Sequence, residues 1–487
     1  MIVPRIEGGL RLEALDGRIV VPGAPTRRIE ARLLGRSPMD AIYLTQQVSA
    51  GNGVAHALAA ARAWEAAGQL PVAPNGELLR ELLNLFAFLH DHVRQFYGEL
   101  LPDFLPLASL AGYDGASPAA ARIAQGLEAR LRQSHAPAPP PSGFPLTVRR
   151  RLTESTVRAG AVLAVLQRAL ARLGGKFPIV MSIAPGGMSV PFGEAAILEL
   201  DQYLTEIEPF LTEVVLEDAL AVLEHHPELT ELGKGPDNFL SVGAGARLTE
   251  QGAELIPPGL LLGRRLQALR LTVTESIRRA FYRVPARRGE TRIVLEPEPI
   301  KAGAYSWIKA PRVGEAVVET GPIARLAVIQ LSGAHGRSAG IAELVQEQLG
   351  VPVHQANTAA GRILARAGEI DLAFRRCREI LHRYEPGQPP IDDSRDPFGL
   401  SGDGVGIIEA PAGAVRHRCV LEDGRISHYD IVAPSTWNGS PRDENGAPGP
   451  IEAALSRREW NPEAPADALA LARIVHSFAF STADAVH

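Results

Sequence analysis

Cysteine is nearly absent. Cys377 and Cys419 are the only thiols in 487 residues, and they lie far apart with no CxxC pair. A site that needs several thiolates therefore cannot be built from this chain alone. No basic excess is present: Lys plus Arg number 50 against 55 Asp plus Glu, a net charge of −5, so nothing advertises nucleic acid or an anionic membrane surface as a partner. No apolar run approaches the ~18–20 residues that span a bilayer, so membrane insertion is not expected. The opening, MIVPRIEGGLRLE, has acids early and no continuous apolar stretch of the signal-peptide kind, which predicts a cytoplasmic location. What remains is ordinary: 46% apolar and 22% charged residues describe a folded soluble chain and exclude wholesale disorder. The length suits one large domain or two to three intimately packed ones.

Along the chain, Leu10–Val21 reads as strands around an Asp16-Gly17 turn. Residues 28–36 turn helical and Ser37-Pro38 punctuates them. Met39–Ala67 has alanine-rich helical spacing, interrupted by Ala50-Gly51-Asn52-Gly53, and Glu77–Leu101 is a long helix with Leu78, Leu79, Leu82, Leu83, Phe86 and Leu89 on one face. Residues 136–142, APAPPPS, can form neither helix nor interior strand and read as an exposed loop. Leu152–Leu173 is a helix ended by Gly174-Gly175, and Phe192–Leu223 continues helical. Between 236 and 331, strand-like runs (Phe239–Val242, Thr291–Leu295, Leu326–Leu331) surround one helix near 264–284. Gly361–Tyr384 is helical, 403–434 reads as β with a hairpin at Asp423-Gly424, and Pro465–His476 is the last helix. There is no fixed-period repeat, which argues against a solenoid. The class is α+β, with long central helices and small sheets.

Several segments are more distinctive. They are Arg5-Ile6-Glu7-Gly8, Thr45-Gln46 leading to His56-Ala57-Leu58, Leu89-His90-Asp91-His92 with Phe96-Tyr97, and Tyr305-Ser306-Trp307-Ile308-Lys309-Ala310-Pro311-Arg312. Further on come Gly321-Pro322-Ile323-Ala324-Arg325, Gly404-Val405-Gly406, Glu409-Ala410-Pro411, Pro434-Ser435-Thr436-Trp437-Asn438, Val475-His476-Ser477-Phe478 and the terminal Ala485-Val486-His487. In this order they resemble the large subunit of nickel–iron hydrogenases over almost the whole chain, 1–487, as a single large-subunit-like domain.

The resemblance implies a nickel–iron centre held between two CxxC pairs, whose soft thiolates suit these metals. Here the four positions carry Ser49, Asn52, Ser481 and Asp484. A serine hydroxyl or an asparagine amide does not replace a thiolate. The arginine that follows Glu-Ala-Pro in the family is Ala412 here, and the Asp-Pro before the last CxxC is Ala479-Phe480. Asp91 remains, facing a site without its other charged members. Glu7 matches the family's proton-relay acid but has no metal to serve. His56, Pro411, Ser435 and Thr436 match retained pocket loops, the last three around the cyanide ligands. Loss of the ligands together with their supporting groups implies an abandoned redox centre, so no nickel and no stably bound cofactor are expected.

Glu30 and His487 match two protein ligands of a structural magnesium ion. The alternatives are a retained ion, or a direct Glu30–His487 contact or buried water. Asp484 and His487 share a helix face and with Ser49, Asn52 and Ser481 could line a hard-metal pocket, against the plainer reading that polar residues fill the vacated cavity with hydrogen bonds and water. Cys419 reads as a buried strand residue and Cys377 as a helix core residue or surface thiol. His225-His226 and His90/His92 read as packing or hydrogen-bonding groups. The glycine pieces at 243–245 and 402–406 are weak phosphate signals, the second explained by the resemblance as a loop near the old site. The chain ends at the residue after which family precursors carry a removable tail, so no tail processing is expected.

Within the family the chain looks like the HupK/HoxV-type proteins, which implies a non-catalytic assembly scaffold. It would shelter a transient Fe(CN)2CO unit together with the maturation chaperone and the iron-delivering maturation proteins, and would meet the true large subunit. The alternative is a permanent structural subunit paired with an iron–sulfur small subunit.

Overall fold

The computed structural model describes residues 2–3, 10–49, 51–105, 113, 118–133, 143–244, 256–284, 295–334 and 336–486. Glu7, the loop 136–142, most of the expected strand at 291–295, Gly245 and His487 lie outside them. The α+β class holds. Long helices form the centre and small sheets surround them. No helix among the described residues is long and apolar enough to cross a membrane.

The centre is helix α1 (Gly53–Gly68) and helix α2 (Pro74–Gln95), with α3 (Leu146–Gly174) and α4 (Ala359–Arg383) on either side of α2. α2 buries Leu79, Leu82, Leu83, Phe86 and Leu89, the face that the leucine spacing predicts. A three-stranded antiparallel sheet, β1 (Gly402–Ala410), β2 (Gly413–Glu422) and β3 (Arg425–Val432), lies on α1. Its second hairpin turns at Asp423 (φ 49°) and Gly424 (φ 75°), and the N-terminal one at Asp16 (φ 49°) and Gly17 (φ 73°). Two consecutive positive φ angles are what Asp-Gly supplies to a tight hairpin.

The helix–sheet contact has a simple geometric basis. Two strand residues advance ~6.6 Å and four helix residues ~6 Å. Glycines at 402, 404 and 406 can therefore meet α1 at Ala67, Ala63 and Ala59 in step. A Cβ on them would stand 2.1, 2.2 and 2.0 Å from the carbonyl oxygens of those three alanines. GDGVG is thus neither a phosphate cradle nor a loop near the old site. It is the strand that must come closest to α1.

Two expected elements are overturned. The helix expected at 264–284 is instead short strands, Arg265–Gln267, Val273–Ser276 and Tyr282–Arg283. The two-residue alternation of Leu269, Leu271 and Val273, which packs on one apolar cluster, outweighs the helical spacing. The run Leu326–Leu331, read as a strand, belongs to the helix Pro322–Leu331. A short apolar run fits either type, and here Pro322 at the first helical turn and burial of every residue from 322 to 329 settle it.

Residues 305–312 fasten the N-terminal segment to the C-terminal third. Trp307 N–H donates to Pro22 O at 2.7 Å, Ser306 Oγ donates to Val21 O at 2.8 Å, and Tyr305 OH donates to Glu452 at 2.9 Å. Arg312 clamps Asp443 at 2.7 Å and the carbonyls of Pro441 and Ala447. Burial pushes the Glu452 carboxyl from its ordinary 4.5 up to about 7, although Val21 N–H and Tyr305 pull the other way. A raised carboxyl contributes stability fully below its unfolded pKa and loses it as pH rises through the folded one. Between about pH 5 and pH 8 the chain should lose on the order of 3 kcal/mol through this group, and Glu452→Gln should flatten that slope. Urea melts of both proteins at the two pH values measure it, and parallel slopes would refute the assignment.

Candidate functional site

Two segments distant in sequence meet at the start of α1. On one side the chain makes a single turn at Thr45–Val48, runs extended through Ser49 and enters the helix after Asn52. Ser49 Oγ accepts from Asn52 N–H at 3.3 Å, and the Asn52 carbonyl accepts from His56 N–H at 3.0 Å. On the other side the short helix Thr482–Ala485 is capped by Ser481, whose Oγ accepts from Asp484 N–H at 3.4 Å. Arg27 ties the sides together, donating to Gln47 O (2.8 Å), Val48 O (2.8 Å) and Ala483 O (2.7 Å).

The junction is a buried polar network. Asp484 Oδ1 lies 3.0 Å from His56 Nε2 and its Oδ2 accepts from Ser435 N–H at 3.0 Å. Ser435 Oγ accepts from Ser481 N–H at 2.9 Å, and Thr436 Oγ1 donates to Ala485 O at 3.3 Å. His56 Nδ1 is 2.9 Å from His417 Nε2, and His417 Nδ1 is 2.8 Å from Tyr429 OH. One proton assignment satisfies the whole row: Tyr429 O–H donates to His417, His417 Nε2–H to His56, and His56 Nε2–H to the Asp484 carboxylate. Burial pushes the Asp484 carboxyl up, but His56 and Ser435 outweigh it and hold it below the usual range. Burial also raises the Tyr429 hydroxyl well above its ordinary value, so it keeps the proton it donates. Asn52 Oδ1 is buried with no hydrogen-bond partner among the described residues.

Asp484→Ala removes the acceptor for His56 and Ser435 together. A loss of about 2–4 kcal/mol is expected, because two buried donors stay unsatisfied, while Asp484→Asn, which keeps a carbonyl oxygen, should lose less. Thermal melts of the three proteins would contradict the network if alanine were as stable as aspartate.

The remaining expected residues fall into two groups. Ser49, Asn52, His56, Ser435, Thr436, Ser481 and Asp484 are brought together as described. Asp91 lies against Gly51, between Ser49 and Asn52, and is paired there: Arg94 on its own helix bonds it at 2.6 Å and reaches Glu99 as well. Burial raises the Asp91 carboxyl, and Arg94 reverses the shift and holds it low. The Pro411 carbonyl accepts from Arg325 at 2.8 Å. Arg325 also grips Glu369 with two bonds of 2.6 Å and Glu409 at 2.7 Å. Ala412 is buried beside Gly321, and Ala479 adopts a left-handed backbone (φ 53°). His90 meets Gln167, His92 meets Glu369, and His225 and His226 bond to Ala221 O and Glu228, the hydrogen-bonding roles expected of them.

Glu30, one of the two residues expected at the magnesium site, has partners within the chain, and His487 lies outside the described residues. Glu30 Oε1 accepts from Ile431 N–H at 2.9 Å and from the Lys309 ammonium at 3.2 Å. Lys309 is also 3.1 Å from Glu275 and 3.4 Å from Asp430. The positive charge among these three carboxylates is the chain's own lysine. Burial, with Asp430 and Glu30 adding to it, pushes Glu275 up to about 8 against the pull of Lys309.

The donor set at the junction does not fit a nickel–iron pair. Bridging two soft metals needs thiolates, whereas both Asp484 oxygens are engaged and the hydroxyls of Ser49 and Ser481 are acceptors of backbone N–H bonds. Cys377 is buried in α4 and Cys419 in β2, and burial pushes Cys377 well up and Cys419 to about 12, so both are neutral thiols. Among the described residues no group of three or more His, Cys, Asp or Glu side chains could hold a metal ion. Arg27, His417 and Tyr429 escaped the sequence reading. His417 left one signal: it sits between Val415 and Cys419 on the inward face of a strand, where a histidine needs a partner.

Comparison with known proteins agrees with this architecture. The family described as nickel-dependent hydrogenase matches residues 27–138 and 157–487. The hydrogenase-2 large chain of Escherichia coli (strain K12) is 27% identical over 556 aligned positions, covering 100% of this chain and 96% of that one. The periplasmic [NiFeSe] hydrogenase large subunit of Desulfomicrobium baculatum is 28% identical, covering 93% and 87%. Among solved structures, the Ni-Fe-Se hydrogenase of D. vulgaris Hildenborough in the reduced state superposes with a TM-score of 0.83 at 23% identity, covering 100% of this chain and 99% of that one, a likeness of fold.

Proposed function

This chain belongs to the nickel-dependent hydrogenase family, and we propose that within it the chain is a non-catalytic large-subunit homologue that acts as an assembly scaffold in hydrogenase maturation, of the HupK/HoxV type. One observation carries the reading: the residues that the resemblance places at the four thiolate positions are Ser49, Asn52, Ser481 and Asp484, and around His56 they form a buried network of oxygen and nitrogen groups, Asn52 through its backbone. The scaffold presents the shape of a large subunit to the maturation chaperone and the iron-delivering proteins. It binds no nickel. Any Fe(CN)2CO unit visits transiently, held by a partner's thiolate. On this reading the chain works in the cytoplasm, where such centres are assembled.

A tagged copy purified from cells that produce a hydrogenase tests this. Co-purification of a maturation chaperone, with infrared bands of bound CO and cyanide in the complex, is expected. The absence of both the chaperone and the bands would refute it. The second reading, a permanent structural subunit, draws on the full-length match to chains named large subunits. It requires a stoichiometric small subunit buried over ~2,000 Å² or more, which the same purification would reveal.

A further inference from the structure

A cavity of about 580 Å³ differs in character from the junction. It opens between the N-terminal hairpin and the segments around 279–281, 303–307 and 442. Four arginines line it. Arg11 pairs with Glu13 at 2.6 Å. Arg279 and Arg442 are held by carbonyls, of Gly303 at 2.9 Å and Gly446 at 2.6 Å, and no carboxylate is paired with either among the described residues. Arg18 is exposed, and its side chain has no partner among the described residues. Against them stand Glu13 and Asp16, so the groove is positive on a chain whose net charge is −5. Its wall is aromatic: Phe281 and Trp307 are half-buried, with ring centroids 5.1 Å apart.

Guanidiniums without carboxylate partners beside an aromatic wall favour a ligand that brings carboxylates and an aromatic ring. Arg pairs carboxylates in a planar fork, and aromatic anchors carry much of the energy of protein contacts. A nucleotide triphosphate fits less well. Its phosphates want convergent donors, whereas these four arginines come from three separate segments and share the rim with two acids. We propose that this groove is a docking site for an acidic peptide segment bearing an aromatic side chain, presented by a partner protein. The groove adds a surface that the scaffold reading does not use, and either can fail without the other.

The full-length chain should be titrated by fluorescence anisotropy with a labelled peptide of about ten residues, Asp and Glu around one central Phe. Comparison ligands are the same peptide with Ala for Phe, a Lys version, and ATP. The acidic Phe peptide should bind at least about tenfold more tightly than the Lys version, more tightly than the Ala version, and with a shift in tryptophan emission. Arg18→Glu combined with Arg442→Glu, both outside the core, should weaken it at least about tenfold, with an unchanged thermal melt, and raised salt should do the same. Equal binding of acidic and basic peptides, no effect of the charge reversals, or tighter binding of ATP would each overturn the proposal. If the double variant melts early, Arg18→Glu alone decides, with the same expected direction.

Discussion

Arg325→Met is expected to destabilise the chain by about 3–5 kcal/mol, the range for breaking a buried ion pair from one side. Arg325 is fully buried. It supplies two hydrogen bonds to Glu369, one to Glu409, and one each to the carbonyls of Ala410 and Pro411. Methionine fills much of the volume but leaves two carboxylates in the core with one guanidinium too few. Burial pushes the Glu369 carboxyl up, but Arg325 and His92 overcome it and hold it down to about 2. A depressed carboxyl contributes stability above its ordinary pKa and loses it as pH falls through the folded value. Acidification from about pH 4.5 toward pH 2 should therefore erode the wild type through Glu369, and the variant should lack that component. Glu369→Gln and Glu409→Gln added to Arg325→Met should restore part of the loss, since the stranded charges are then gone. Denaturant melts of the three proteins measure it. A loss below about 1 kcal/mol in the single variant would mean that the cluster is solvated and the account of it wrong.

Gly404→Ala should cost about 3 kcal/mol or more, at the upper end of overpacking penalties. The new methyl would sit 2.2 Å from both the Ala63 carbonyl oxygen and the Ala67 nitrogen. These are backbone atoms of one helix and cannot swing aside, so β1 must move off α1. His56 lies on that helix and His417 on the neighbouring strand, joined at 2.9 Å, and the displacement should also break their bond. Loss of stability accompanied by altered histidine ring signals in NMR spectra is the expected result. An unchanged melt would show that the strand does not lie against the helix as described.

These two sites show what could be read from the chain and what could not. Both Asp-Gly hairpins and the helices at 53–68, 74–95 and 359–383 follow from local pattern, because turn chemistry and apolar spacing act over a few residues. The stretch 264–284 does not, because its leucines satisfy both periods and only packing against the cluster around Val313 and Trp437 chooses between them. The interest of Ser49, Asn52, Ser481 and Asp484 comes from the resemblance alone. The row from Asp484 to Tyr429 was not, because His56 and His417 are 361 positions apart and no local pattern announces such a pairing. Lys309 stands in the motif Tyr305–Arg312, whose local sequence assigns it no role. Its place among Glu30, Glu275 and Asp430 depends on three other segments converging on it.

The most direct test is metal analysis of the purified full-length chain, together with a hydrogen-dependent dye-reduction assay, after production in cells supplied with nickel and competent to mature hydrogenases. A junction built from Asp484, His56, Ser435 and Ser481 predicts no stoichiometric nickel and no dye reduction. One nickel per chain with hydrogen oxidation would contradict it.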